Sequence, residues 1–238
     1  MSGAELALAS AVVMAGAMVQ GSVGFGLNLV AAPVLALIDT ELVPGPALVI
    51  ALVLTLLMAV RERASTEWWG VRWALLGRVP GTVAGAVTLA VLPEHGVALT
   101  FAILVLVAVG MSAIGLHLSP TRPNLIGAGA LSGLMGTATS IGGPPIAMVY
   151  QRSPGATLRG TLAGFFAVGA SMSLVVLAAV GEFGARDLVH SLVLLPGLLV
   201  GFVLSRVTAP HLDVGRTRVA VLVVSAASAL SVLVREVL

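Results

Sequence analysis

Two glycine-broken polar stretches interrupt long apolar runs of this chain, and they constrain any fold it can adopt. Residues 19–33 read Val-Gln-Gly-Ser-Val-Gly-Phe-Gly-Leu-Asn-Leu-Val-Ala-Ala-Pro, and residues 133–145 read Gly-Leu-Met-Gly-Thr-Ala-Thr-Ser-Ile-Gly-Gly-Pro-Pro. A helix broken at membrane depth leaves peptide groups without partners. Such a break is tolerated only where protein or a water-filled cavity satisfies them. Two breaks at matching places in two half-chains are a sequence pointer to a transporter's binding site.

The surrounding sequence belongs in a bilayer. Of 238 residues, 58% are hydrophobic and 9% charged, against about 25% charged in soluble domains. The chain therefore reads as an all-α polytopic membrane protein with no room for a soluble domain. All 12 basic residues are arginine, the net charge is +2, and no basic cluster supports nucleic-acid binding. Cysteine is absent, which excludes disulfides, thiol chemistry and Cys-based metal sites. The opening Met-Ser-Gly-Ala-Glu lacks a basic n-region, so the first apolar run is expected to be retained and not cleaved as a signal peptide.

Spanning ~30 Å of hydrocarbon takes about 20 apolar residues. Eight hydrophobic segments meet or approach that length, at roughly 5–38, 43–60, 71–92, 97–117, 125–150, 158–181, 188–207 and 217–235. They divide into two homologous four-segment halves, 1–120 and 121–238, that together form one membrane domain. Pro80-Gly81-x-x-x-Gly85 recurs as Pro196-Gly197-x-x-x-Gly201, and Pro93-Glu94-His95 resembles Pro210-His211. The offset of about 115 residues also relates Gly21 to Gly136, and recurrence at one offset is the mark of a repeat. Small-xxx-small faces favour close helix packing and would also suit a homodimer.

Arginine placement then tests the topology. With the N-terminus inside, eight single crossings divide the loop arginines six against five, which is no bias. If segments 1 and 5 each enter and return, each half makes an odd number of net crossings and the repeats are inverted. With the N-terminus outside, Arg61, Arg63, Arg72, Arg122, Arg152, Arg159, Arg206, Arg216 and Arg218 are then cytoplasmic, leaving Arg186 and Arg235 outside. This arrangement predicts both termini outside a bacterial cytoplasmic membrane. Length agrees, because residues 5–38 as one helix would be roughly 50 Å long. Broken near residues 21–26, the run gives arms of about 16 and 12 residues. Charge alone leaves open whether segments 1 and 5 are re-entrant hairpins or pairs of short crossings.

At these residues the chain resembles the sulfite exporter TauE/SafE family, also called the 4-toluene sulfonate uptake permease family. The resemblance rests on a glycine-rich segment ending in proline near the start of each half. Here these are Gly21-x-x-Gly24-x-Gly26 through Pro33, and Gly136 through Gly142-Gly143-Pro144-Pro145. Leu27-Asn28, Thr139 and Ile141 depart from the family's further glycines. The resemblance covers nearly the whole chain and implies export or uptake of sulfite or small organosulfonates.

Substrate-binding candidates follow from the breaks and from one buried charge. In the first break Gln20, Gly21, Ser22, Gly24, Gly26 and Asn28 are candidates, and in the second Gly136, Thr137, Thr139, Ser140, Gly142, Gly143 and Pro144. Their side chains can donate to anionic oxygens or satisfy freed backbone groups, while half-helix N-termini add positive dipole ends. Arg78 is the one charge well inside an apolar segment. An intramembrane arginine costs about 2.5–3.5 kcal/mol on insertion scales. It either binds an anion bidentately or snorkels to the interface near Arg72.

Trp68, Trp69 and Trp73 read as interface-belt residues, and Tyr150-Gln151 as an interfacial anchor or a gate. His95, His117, His190 and His211 lie at segment ends without a metal-binding pattern. Gly127-x-Gly129-x-x-x-Gly133 reads as helix packing, because a nucleotide loop would need a preceding strand. No cofactor motif and no Walker motif occur, so the reading is a secondary transporter of a small anion, not an ATP-driven pump. An intramembrane enzyme would need a nucleophile with a base or a metal, and neither arrangement is present. The alternatives are a permease for an unrelated small organic anion and a non-transporting scaffold or assembly subunit, though paired polar breaks would be expensive in a scaffold.

Overall fold

The computed structural model describes residues 2–115, 117–208 and 214–237 and, among them, is all-helical with no strand. Pro210 and His211 lie outside the described residues, as do the side chains of Arg216, Arg218 and Arg235. The helices are α1 (Gly3–Val23), α2 (Leu27–Ile38), α3 (Gly45–Arg61), α4 (Trp68–Val91), α5 (Glu94–Ile114), α6 (Arg122–Thr139), α7 (Gly143–Tyr150), α8 (Gly155–Val180), α9 (Ala185–Thr208) and α10 (Val214–Val237).

Local chemistry sets many of these ends. Ser2 and Glu5 close a capping box on α1. Glu67 caps α4 by accepting from Gly70 N–H at 2.9 Å. Pro123, Pro144 and Pro46 lie in the first turns of α6, α7 and α3, where proline's missing N–H costs nothing. Among the described residues, six helical stretches are long and apolar enough to cross a membrane. Their outer faces are apolar: on α9, Leu192 is 63% and Val203 61% exposed. α6 falls outside that set, being rich in glycine, serine and threonine.

Two seams of backbone-to-backbone contact organise the bundle. A Cβ on Gly77 or Gly81 of α4 would collide with the carbonyls of Ile126 or Ala130 of α6. One on Gly129 would collide with the Ala74 carbonyl, and one on Gly133 would lie 2.6 Å from the Arg78 carbonyl. In α9, a Cβ on Gly197 would lie 2.5 Å from the Ser10 carbonyl, and one on Gly201 would strike that of Met14. The Gly-x-x-x-Gly faces are thus used within the chain, as close approach of small residues allows.

These registers fix helix directions. α9 runs alongside α1, and α3 shares that direction, with Gly45 beside Asp187 at one end and Arg61 beside Ser205 at the other. α6 and α8 run with α4: Thr161 accepts from Glu67 N–H, and Gly169, further along α8, lies against Arg78. α8 runs opposite to α3, with Gly160 against the Glu62 carbonyl and Ala170 and Leu177 in one apolar cluster with Leu48. So α1 and α6, the helices that precede the two breaks, point in opposite directions.

At each break the chain turns back. Leu27 lies against Gly16 and donates its N–H to Gln20 Oε1 at 3.0 Å, which places α2 along α1. Gly142 lies against Ser132 and Gly136, which places α7 along α6. With 12 and 8 residues, the returning arms rise only about 18 and 12 Å. The first arm is longer than the sequence suggests. Its helix continues through Gly21 to Val23 and stops where Gly24 takes φ +110°.

The main helix contacts correspond when the first five helices are exchanged with the last five. α1 with α9 corresponds to α6 with α4, α2 with α10 to α7 with α5, and α3 with α9 to α8 with α4. α3 and α8 pair with each other, as do α5 and α10.

Candidate anion site between the two helix breaks

The two hairpin tips meet inside the bundle. Phe25 of the first rests on Gly143 of the second, and Asn28 Nδ2 donates to the carbonyls of Ser140 and Ala47, both at 3.1 Å. The first turn is made by Gly24 and Gly26, at φ +110° and +122°, a region that disfavours side chains. The second uses Ser140 at φ 61°. There Ser140 Oγ donates to the Thr139 carbonyl, while Thr139 Oγ1 donates to the Met135 carbonyl and accepts from Ile141 N–H.

Between the tips, α3, α4 and α8 enclose a cavity. Gln20, Gly26, Asn28, Arg78, Gly136, Ser140, Gly142, Gly143 and Pro144 line it, with Phe25, Leu29, Leu48, Ala51, Thr55, Ile141, Phe166 and Ala170. It leaves about 50 Å³ for the centres of water-sized spheres. That is room for roughly four waters, or for one compact oxyanion.

Arg78 supplies the charge. It is only 2% exposed, so it does not snorkel to the interface. Nη1 donates to Ser132 Oγ at 3.0 Å, and Ser132 passes the polarity on by donating to the Gly142 carbonyl at 2.6 Å. The guanidinium stands 5.0 Å from the centroid of the Phe165 ring. A Cβ on Gly169 would collide with it, so glycine there is what admits the head group. Nε has no hydrogen-bond partner, and among the described residues no carboxylate pairs with Arg78. One hydroxyl and one ring offset part of the desolvation. The remaining imbalance, a buried cation facing a cavity, is relieved by an anion.

The helix starts add to this field. α2 and α7 both begin at the cavity, each presenting the positive end of its dipole. They differ as donors. Gln20 Oε1 takes Leu27 N–H, which turns the Gln20 amide to serve the first tip. Pro144 and Pro145 have no N–H to offer at the second.

The remaining sequence candidates are occupied elsewhere. The Gly21 carbonyl accepts from Arg61 Nη2 at 2.6 Å, and Gly24 packs on Arg159. Ser22 Oγ donates to the Met18 carbonyl. Thr137 shares a 2.8 Å hydrogen bond with Ser173, and Thr139 is consumed by its own turn. Conversely, Ser132, Thr55 and Phe166 escaped the sequence reading. Thr55 had a faint signal, as the one hydroxyl in the apolar run of α3.

One end of the bundle is rich in arginine. Glu62 Oε1 accepts from Arg61 Nε at 3.1 Å and Arg159 Nε at 2.9 Å, while Arg61 and Arg206 both stand over Phe202. Trp68 and Trp69 are exposed there, and Trp73 lies under Arg122. Tyr150 corrects the anchor expectation. It is 2% exposed, and its hydroxyl donates to Glu67 Oε2 at 2.8 Å, tying α7 to the start of α4.

The fold is that of a multi-pass helical membrane protein in which two broken helices close on a small cavity holding an unpaired arginine. The family model for the sulfite exporter TauE/SafE matches residues 8–232, and the chain belongs to that family of membrane transporters. Comparison with curated proteins and with solved structures gave no match.

Proposed function

We propose that the protein is a secondary transporter that moves sulfite or small organosulfonates across a bacterial cytoplasmic membrane, in the direction of export. The observation that carries this is Arg78, a buried cation without a counter-ion beside a cavity sized for a compact oxyanion. The anion's oxygens would face Arg78, the Gln20 amide and the start of α2. Export agrees with the membrane potential, since a monoanion leaving a negative-inside cell gains ~2.3 kcal/mol per 100 mV.

The opposed directions of α1 and α6 and the exchange of contacts between halves support two inverted repeats, residues 1–120 and 121–238. Such repeats rock about a shared midplane site in alternating access. The arginine-rich end then faces the cytoplasm, with both chain termini outside.

Flux of sulfite and a panel of short organosulfonates into proteoliposomes, against empty vesicles, tests the reading. Saturable flux that disappears in Arg78→Gln supports it. Folded protein that moves no panel member sinks it and favours a non-transporting scaffold.

A further inference from the structure

Beside the Arg78 cavity lies a second and larger one, which leaves about 250 Å³ for the centres of water-sized spheres. Its character is different. Val19, Val23, Met111, Met148 and Leu158 dominate its lining, and no charged residue is among them. Val23 ends α1, Leu158 lies in the first turn of α8, and the exposed Gln151 follows α7. The cavity therefore lies toward the arginine-rich end, where Arg159 packs on Gly24.

The two cavities share four lining residues: Phe25, Gly26, Leu29 and Pro144. Leu29 and Pro144 are held in α2 and α7, and Gly26 has no side chain. Of the three side chains, that of Phe25 alone hangs from a turn outside the helices, packed on the apolar cluster of Ile146 and Phe165. It is half-buried, and it sits between two glycines whose φ angles of +110° and +122° make a flexible link. Its ring rests on Gly143, where a Cβ would lie 3.0 Å from Phe25 Cδ2. Nothing polar holds it there.

We propose that Phe25 is the gate between an apolar inner vestibule and the anion site. It rests on the reading of the Arg78 cavity as that site. With the ring on Gly143 the anion is separated from the vestibule. When the ring swings on Gly24 and Gly26, the cavities join. An uncharged vestibule gives the anion no resting place, so it passes between Arg78 and the arginine-rich rim without a competing stop.

The chain contains no cysteine, so single cysteines report without background. Met111→Cys marks the vestibule and Ala51→Cys the Arg78 cavity. The purified full-length protein is treated with a membrane-impermeant methanethiosulfonate. Met111→Cys is expected to react readily whatever stands at position 25. Ala51→Cys is expected to react slowly beside Phe25, about tenfold faster with Phe25→Ala, and at an intermediate rate with Phe25→Leu, as loss of a local closing contact requires. The Phe25→Leu arm keeps the test intact if Phe25→Ala does not fold. Equal Ala51→Cys rates across the series overturn the gate. The labelling uses no anion, so a labelling contrast without sulfite flux would fail the transport reading alone. Flux without the contrast would fail the gate alone.

Discussion

Arg78 and Leu194 stand at like places in the sequence, directly before the Val-Pro-Gly and Leu-Pro-Gly that lie in the two helix seams. Arg78 meets a cavity, a serine and an aromatic ring. Leu194 is fully buried in an apolar cluster with Val13, Leu35 and Leu198. The seams beside them are built alike, from glycines set against carbonyls. A like seam thus occurs twice, while the charge is placed once. Among the residues that line the cavity, Arg78 is the one that carries a charge.

Swapping the pair should break this comparison most severely. Leu194→Arg puts an unpaired cation into an apolar cluster. A buried ion without a partner costs several kcal/mol, comparable to total stability, so the variant is expected to yield no folded protein by size-exclusion in detergent. The reverse change, Arg78→Leu, should leave thermal unfolding unchanged or raise it, because it removes a buried unpaired charge. Sulfite flux should fall by about a hundredfold or more, the scale of losing a buried charge partner. Retention of flux would remove Arg78 from the site.

The seams sharpen the comparison at a smaller scale. Gly81→Val and Gly197→Val should both destabilise by about 1–3 kcal/mol or more through overpacking. Gly81→Val should be the worse, because its Cβ meets the Ala130 carbonyl more closely than that of Gly197 meets Ser10. Thermal unfolding followed by the fluorescence of Trp68, Trp69 and Trp73 measures both. Equal midpoints would mean that the α1–α9 seam is as tight as the α4–α6 seam.

Much of this is legible in the amino-acid sequence. The breaks, the repeat offset and the odd position of Arg78 are all patterns of residue type against an apolar background, and the bilayer makes such patterns expensive to keep. Which hydroxyls face the cavity was not legible. Thr137, Thr139 and Ser140 are near neighbours in sequence, yet helical turning sends Thr137 to Ser173, folds Thr139 onto its own turn and leaves Ser140 at the cavity. Ser132 was missed for the converse reason. It lies a turn ahead of the polar cluster and matters only because Arg78 comes from another helix. Phe25 looked like one apolar residue among glycines, and only the position of two cavities gives it a role.

The tips differ least in energy and supply the finest test. Gly24 holds φ +110° with its N–H on the Gln20 carbonyl at 2.7 Å, and Arg159 lies 3.3 Å from where a Cβ would stand. Gly24→Ala should therefore cost about 1–2 kcal/mol from the left-handed backbone, with crowding added. Ser140 already bears that backbone strain, at φ 61°. Ser140→Gly removes the strain but also loses the Oγ bond to the Thr139 carbonyl and loosens the unfolded chain. The terms oppose one another, so the midpoint should move by no more than about 0.5 kcal/mol equivalent. The Asn28 link is made to the Ser140 carbonyl, not to its side chain, and survives the change. Flux should survive with it. A large loss of flux at unchanged stability would instead mean that the Ser140 hydroxyl itself touches the anion, and that the second tip contributes more than its backbone.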